Sequence, residues 1–148
     1  MGQKAEENFR KGYNCAQSVL CAYAELLGLE EKTAAMLASG FGGGVSRLRE
    51  LCGAFSAGVM ILGMAEGYDA PEDREGKIAL YQRVQELANR FRAEAGSLIC
   101  RELLELSAET CDAIPSLRTD TYYDTRPCPA LCRLGARLVG EMVLKKAP

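Results

Sequence analysis

Seven cysteines in a chain without a single histidine are the residues here that could do chemistry. Thiols attack disulfides, reduce oxidants and ligate soft metals, in each case as the thiolate. The lack of histidine removes Ser-His and Cys-His catalysis, histidine-ligated haem and mixed Cys/His zinc sites together. Four cysteines, Cys15, Cys52, Cys100 and Cys128, fall at or near expected helix starts. A helix start carries about half a positive charge and unpaired N–H groups, so a thiol placed there ionises more readily. These four are the candidate catalytic residues, and the fold is expected to gather some of them into one buried, reactive site. Cysteine also serves as a small core hydrophobe, and that role is the favoured one for Cys21, Cys111 and Cys132. Cys128 and Cys132 form a CxxxC. On a helix their Cβ atoms stand about 5–6 Å apart, beyond the roughly 3.8 Å of a disulfide, although both could reach one metal ion.

The elements that must position these thiols read as helices. Gln3–Lys11 is a short first helix broken at Gly12. Asn14 caps a second, with Val19, Leu20, Tyr23, Leu26 and Leu27 on its apolar face, Cys15 at the edge of that face and Cys21 on the polar side. A short helix around Glu30–Ser39 turns Ala34, Leu37 and Ala38 inward. Gly40–Gly44 is a connector, and Ser46 caps a helix running to about Glu66 with Cys52 one turn in, near Arg47 and Arg49 in sequence. Gly53 and Gly58 each cost that helix about 1 kcal/mol relative to alanine, which implies a need for close backbone approach. Pro71 opens a long helix, Glu72–Ala95, and Ser97 caps a short one containing Cys100. Ser107–Arg126 lacks periodicity and reads as a long loop. Cys128, between two prolines, starts a last helix to about Lys145 that packs through Leu131, Leu134, Leu138 and Met142.

No stretch alternates with period two and no hairpin signal appears. The expectation is an all-α bundle of six or seven helices in one domain over residues 1–148. The run GFGGG lacks the preceding strand and the spacing of a phosphate loop, so it reads as a connector, with an anion nest formed with Arg47 and Arg49 as the alternative.

Charged residues are 26% of the chain, with both signs interspersed and a net charge of −2, which argues against a nucleic-acid partner. The N-terminus is charged and has no apolar core of a secretory signal. The longest uncharged run, Leu51–Ala65, falls short of the roughly 20 residues a membrane span needs. A cytoplasmic protein is expected, and in a reducing cytosol cysteines are catalytic, redox-sensing or metal-binding rather than permanent staples.

The segments GYNCAQSVL, FGGGVSRLRELCGAFSAGVMILG, CRELL and CPALCRLGARLV together resemble the C-GCAxxG-C-C family, whose redox function is inferred from its cysteine pattern. The resemblance spans nearly the whole chain. It implies a small, helical, cytoplasmic bacterial or archaeal protein whose four cysteines correspond to Cys15, Cys52, Cys100 and Cys128. One departure is visible: after Cys52-Gly53-Ala54 the next glycine, Gly58, stands one position later than the family's spacing. A related helical module occurs in certain multihaem cytochromes, but this chain has neither histidine nor CxxCH.

Three functions follow as alternatives. The first is a thiol redox protein, with Cys15 and Cys52 as the central pair and Cys100 and Cys128 as resolving thiols or a second pair. The second is a module in which the same four cysteines ligate zinc or an iron–sulfur cluster. The third is a non-enzymatic assembly domain, with the helix Leu51–Gly63 packed against a partner or a second copy of the chain. The sequence names no cofactor, substrate or redox partner.

Overall fold

The computed structural model describes residues 1–105 and 112–144. Helices α1 (Gly2–Arg10), α2 (Cys15–Tyr23), α3 (Glu31–Ala38), α4 (Gly53–Glu66), α5 (Arg74–Ala95), α6 (Cys100–Leu103), α7 (Asp120–Thr125) and α8 (Cys128–Val143) follow one another, and the architecture is an all-α bundle. Among the described residues there is no strand; one isolated antiparallel bridge joins Leu51 to Ile99. Cys111 and the first residues of the loop expected from Ser107 lie outside the described residues.

Amphipathic periodicity builds the core. Phe9 of α1, Val19, Leu20 and Tyr23 of α2, Ile61 and Leu62 of α4, Leu87 and Phe91 of α5, and Leu138 and Val139 of α8 are all essentially solvent-free. Fully burying such side chains stabilises a fold by roughly 1.5–3 kcal/mol each. Phe55 and Phe91 meet edge to face with centroids 5.9 Å apart, joining α4 to α5. The Tyr23 hydroxyl donates to the Ala136 carbonyl at 2.7 Å, tying α2 to α8.

Glycines permit the closest helix approaches, and these are made within the chain. A Cβ on Gly53 would stand 2.8 Å from the Phe41 carbonyl oxygen and 3.1 Å from the Ala16 nitrogen. A Cβ on Gly58 would stand 2.9 Å from Leu87 Cδ2, so this glycine serves the crossing of α4 with α5.

Several local expectations are corrected. The helix expected from Ser46 begins at Gly53, because the chain from Gly43 to Arg47 coils in the opposite hand. Leu26 and Leu37, expected to face inward, are exposed at 56% and 58%. Cys21 is buried against α3 rather than on a polar face, its thiol donating to the Glu31 carbonyl at 3.8 Å. The connection before α8 includes α7, capped by Thr119, whose Oγ1 accepts from the Tyr122 N–H.

Candidate functional site

Each of the four candidate thiols sits at a helix start for a local reason. Asn14 and Gln17 form a reciprocal capping box, the Asn14 side chain accepting from the Gln17 N–H at 2.8 Å and the Gln17 side chain from the Asn14 N–H at 3.1 Å. That cap makes Cys15 the first residue of α2. Cys52 is itself the N-cap of α4. Cys100 opens α6, where Ser97 Oγ accepts from the Ile99 N–H one residue before the helix. Cys128 opens α8, followed by Pro129, whose missing N–H costs nothing there.

Non-local pairing then brings two of these starts together. The Cys52 N–H donates to the Leu98 carbonyl at 2.8 Å, and the Cys100 N–H to the Glu50 carbonyl at 2.6 Å. Around the Leu51–Ile99 bridge, Cys52 and Cys100 are therefore diagonal neighbours on one face. The approach to this bridge is a left-handed turn. Gly43, Gly44, Val45, Ser46 and Arg47 have φ between 50° and 68°, closed by the Arg49 N–H to the Gly43 carbonyl and the Glu50 N–H to the Gly44 carbonyl. Glycine adopts this region freely, whereas a β-branched residue such as Val45 is strained in it. At Gly44 a Cβ would stand 2.5 Å from Cys100 Cβ, so the turn presses bare backbone against the thiol's own residue.

Cys15, Cys52, Cys100 and Cys128 line a single small cavity of about 60 Å³, together with Arg49 and Tyr122. That volume is enough for a few water molecules. Cys128 and Cys132 lie close enough to Cys15 to perturb its ionisation. Cys132, fully buried, also donates to the Cys15 carbonyl at 3.8 Å. Of the four, Cys15 alone is partly exposed; the others are buried. Arg49, itself buried, donates from Nη1 to Cys100 Sγ at 3.6 Å.

Electrostatics in the cavity set the helix starts against dehydration, and dehydration wins. Burial pushes the Cys52 thiol up from 9.0 to about 11, although the Phe55 and Ala54 amides at the start of α4 pull it down. Burial also raises Cys100, which Arg49 partly offsets. Contact with Cys15 is the largest cause that raises Cys128, followed by burial. Cys15 is lowered by Cys128, but Cys132 and burial outweigh this and leave it well above the ordinary thiol range. The easier ionisation expected of helix-start thiols is thus reversed in the closed structure. Losing water costs the thiolate more than the helix ends return.

Among the described residues no three His, Cys, Asp or Glu side chains are placed to hold one metal ion. Cys15 is coupled most strongly to Cys128 and Cys132 and more weakly to Cys52. Cys132 and Arg49 reach the site although the sequence does not place them among the four candidates. The CxxxC spacing is the signal for Cys132, since it places that thiol beside Cys128 on one helix face. Arg49 has none beyond proximity in sequence, because its burial depends on a turn of unusual hand.

The family model described as "Putative redox-active protein (C_GCAxxG_C_C)" matches residues 13–142. No curated protein and no solved structure matches the chain. Among the described residues no helix is long and apolar enough to cross a membrane.

Proposed function

The chain belongs to the C_GCAxxG_C_C family, and on that premise we propose that it is a thiol redox protein whose first reacting pair is Cys15 and Cys128. One observation carries the reading: Cys15 and Cys128, at the starts of α2 and α8, line one small cavity together with Cys52 and Cys100, and each is the largest influence on the other's ionisation.

Position assigns the roles. Cys15 is the first residue of α2 and the one partly exposed residue of the four. It gives up its proton and attacks one sulfur of an acceptor disulfide. The acceptor S–S bond breaks, its other half leaves as a thiol after taking a proton, and a mixed disulfide remains on Cys15. Cys128 then loses its proton and attacks the Cys15 sulfur, forming the internal disulfide and releasing the second half as a thiol. Two electrons and two protons pass to the acceptor. Cys52 and Cys100, held together by the bridge, form a second pair that exchanges with the first. We place this cycle in the cytoplasm, where free thiols are kept reduced.

The test is peptide mapping after limited oxidation. Reduced protein is treated with a small excess of a disulfide, quenched in acid and alkylated. A Cys15–Cys128 linkage should dominate, vanish in Cys15→Ser and Cys128→Ser, and survive in Cys21→Ser. Equal alkylation of all the described cysteines before and after the oxidant would end the proposal, and a dominant Cys15–Cys132 linkage would reassign the resolving thiol.

A further inference from the structure

A larger open vestibule of about 330 Å³ lies over the thiol cavity and shares Asn14, Gly43, Arg49, Arg118 and Tyr122 with it. Its character is basic. Arg47, Arg49, Arg118 and Arg126 all line it, and among the described residues no aspartate or glutamate does. Arg47 makes one long ion pair at the rim, 3.9 Å from the exposed Asp112. In a chain of net charge −2, guanidinium groups are concentrated around this one opening.

These cations are built in rather than scattered. Arg118 donates to the Phe9 and Tyr13 carbonyls at 2.9 and 3.1 Å, and its guanidinium lies 4.1 Å over the Phe9 ring and 5.1 Å from that of Tyr122. Arg126 lies 5.2 Å over the same Tyr122 ring. Arg47 donates to the Asp112 carbonyl at 2.9 Å and to Ser116 Oγ at 3.3 Å. Holding several guanidinium groups together costs repulsion, which an anion between them relieves through charge-assisted hydrogen bonds.

We infer that the vestibule binds the carboxylates of a small acidic thiol compound and presents its disulfide bond to Cys15, a substrate class that rests on the thiol redox reading above. The vestibule and the sulfur cavity share five lining residues, so a molecule anchored by its carboxylates at Arg47 and Arg126 lays its sulfur toward the cavity that Cys15, the one partly exposed residue of the four cysteines, lines. The exchange follows the balance already given, with the acidic disulfide as acceptor and two acidic thiols as products.

Binding and chemistry are tested apart. The first probe is S-methylglutathione, an acidic thioether that cannot exchange, titrated by calorimetry against reduced protein beside its carboxyl-esterified form. The acid should bind, the ester should bind at least tenfold more weakly, and Arg47→Gln and Arg126→Gln should each weaken the acid about tenfold. The two variants lie on different segments, and circular dichroism checks each for folding. Equal binding of acid and ester, or affinity indifferent to both arginines, overturns the inference. The second probe is the oxidation rate of reduced protein by oxidised glutathione, by neutral hydroxyethyl disulfide and by cationic cystamine, normalised to each reagent's rate with a free thiol. The acidic disulfide should lead and lose its lead in salt. A lead for the neutral or cationic reagent overturns the inference while leaving the redox reading intact. If the acidic thioether binds yet none of the three oxidises the protein, the redox reading falls and the anion site stands.

Discussion

Arg49 Nη1 lies 3.6 Å from Cys100 Sγ, and both residues are buried. The guanidinium is the main group holding back the rise that burial imposes on this thiol. Arg49→Gln removes the charge, so Cys100 should ionise at higher pH and alkylate more slowly at pH 9, by about three- to tenfold. Arg49→Lys keeps the charge and should recover part of the rate. Mass-resolved iodoacetamide kinetics, read peptide by peptide, provide the check. An unchanged Cys100 rate in Arg49→Gln would mean that the contact has no electrostatic effect.

Alkaline pH should loosen the fold. The native Cys52 thiol ionises at about 11 against an ordinary value of 9.0, so it stays protonated where the unfolded chain has already lost its proton. Between those values the unfolded state binds fewer protons, and stability falls as pH rises; below about pH 9 this contribution is fully present. The shift corresponds to about 2–3 kcal/mol for Cys52, and Cys15, Cys100 and Cys128 act in the same direction. Urea midpoints measured from pH 8 to pH 11 under reducing conditions should decline, and Cys52→Ala should flatten the decline. A midpoint independent of pH over this range would contradict the burial of neutral thiols.

Two glycine substitutions should have opposite signs. Gly44 has φ of 68° and no room for a Cβ against Cys100 and the Glu50 nitrogen, so Gly44→Ala should cost about 2–4 kcal/mol. Gly63 lies inside α4, where an added Cβ would meet nothing within 4 Å, and Gly63→Ala should stabilise by about 1 kcal/mol. Thermal denaturation of both variants tests the pair.

Asn14 should matter to Cys15 as much as to stability. Its side chain accepts from the Gln17 N–H and donates to the Ser39 carbonyl at 3.0 Å. Asn14→Ala should cost about 1 kcal/mol and fray the first turn of α2. Cys15 should then alkylate faster while buried Cys132 does not change. Equal acceleration at both sites would point to global loosening instead.

The bundle is legible in the sequence because helices announce themselves locally. The cap at Asn14 and the start of α8 between Pro127 and Pro129 both declare their place within a few residues. The site is legible only in part. That the four cysteines stand at helix starts can be read from caps, but which thiols touch depends on packing between α2 and α8. The start of α4 escapes a sequence reading because Ser46 looks like a cap, whereas the glycines before it allow a turn of the opposite hand. Leu51 and Ile99 cannot be paired from sequence, since neither segment is long enough to alternate. The direction of the thiol shifts is hidden for a related reason: a helix end is visible in the residues, but the exclusion of water from it is not.

The stitch between Leu51 and Ile99 also divides the chain into parts that tolerate changes of length differently. Side chains in an extended pairing alternate between faces, so one residue inserted between Arg49 and Cys52 would turn that sulfur away from the cavity. The excursion from Gly53 to Ser97 is closed by the same stitch, and the turn between Glu66 and Arg74 lies on it, remote from the sulfurs. Insertions there should pass without moving a single thiol, so kindred chains are free to differ in that turn while the count from Arg49 to Cys52 stays fixed.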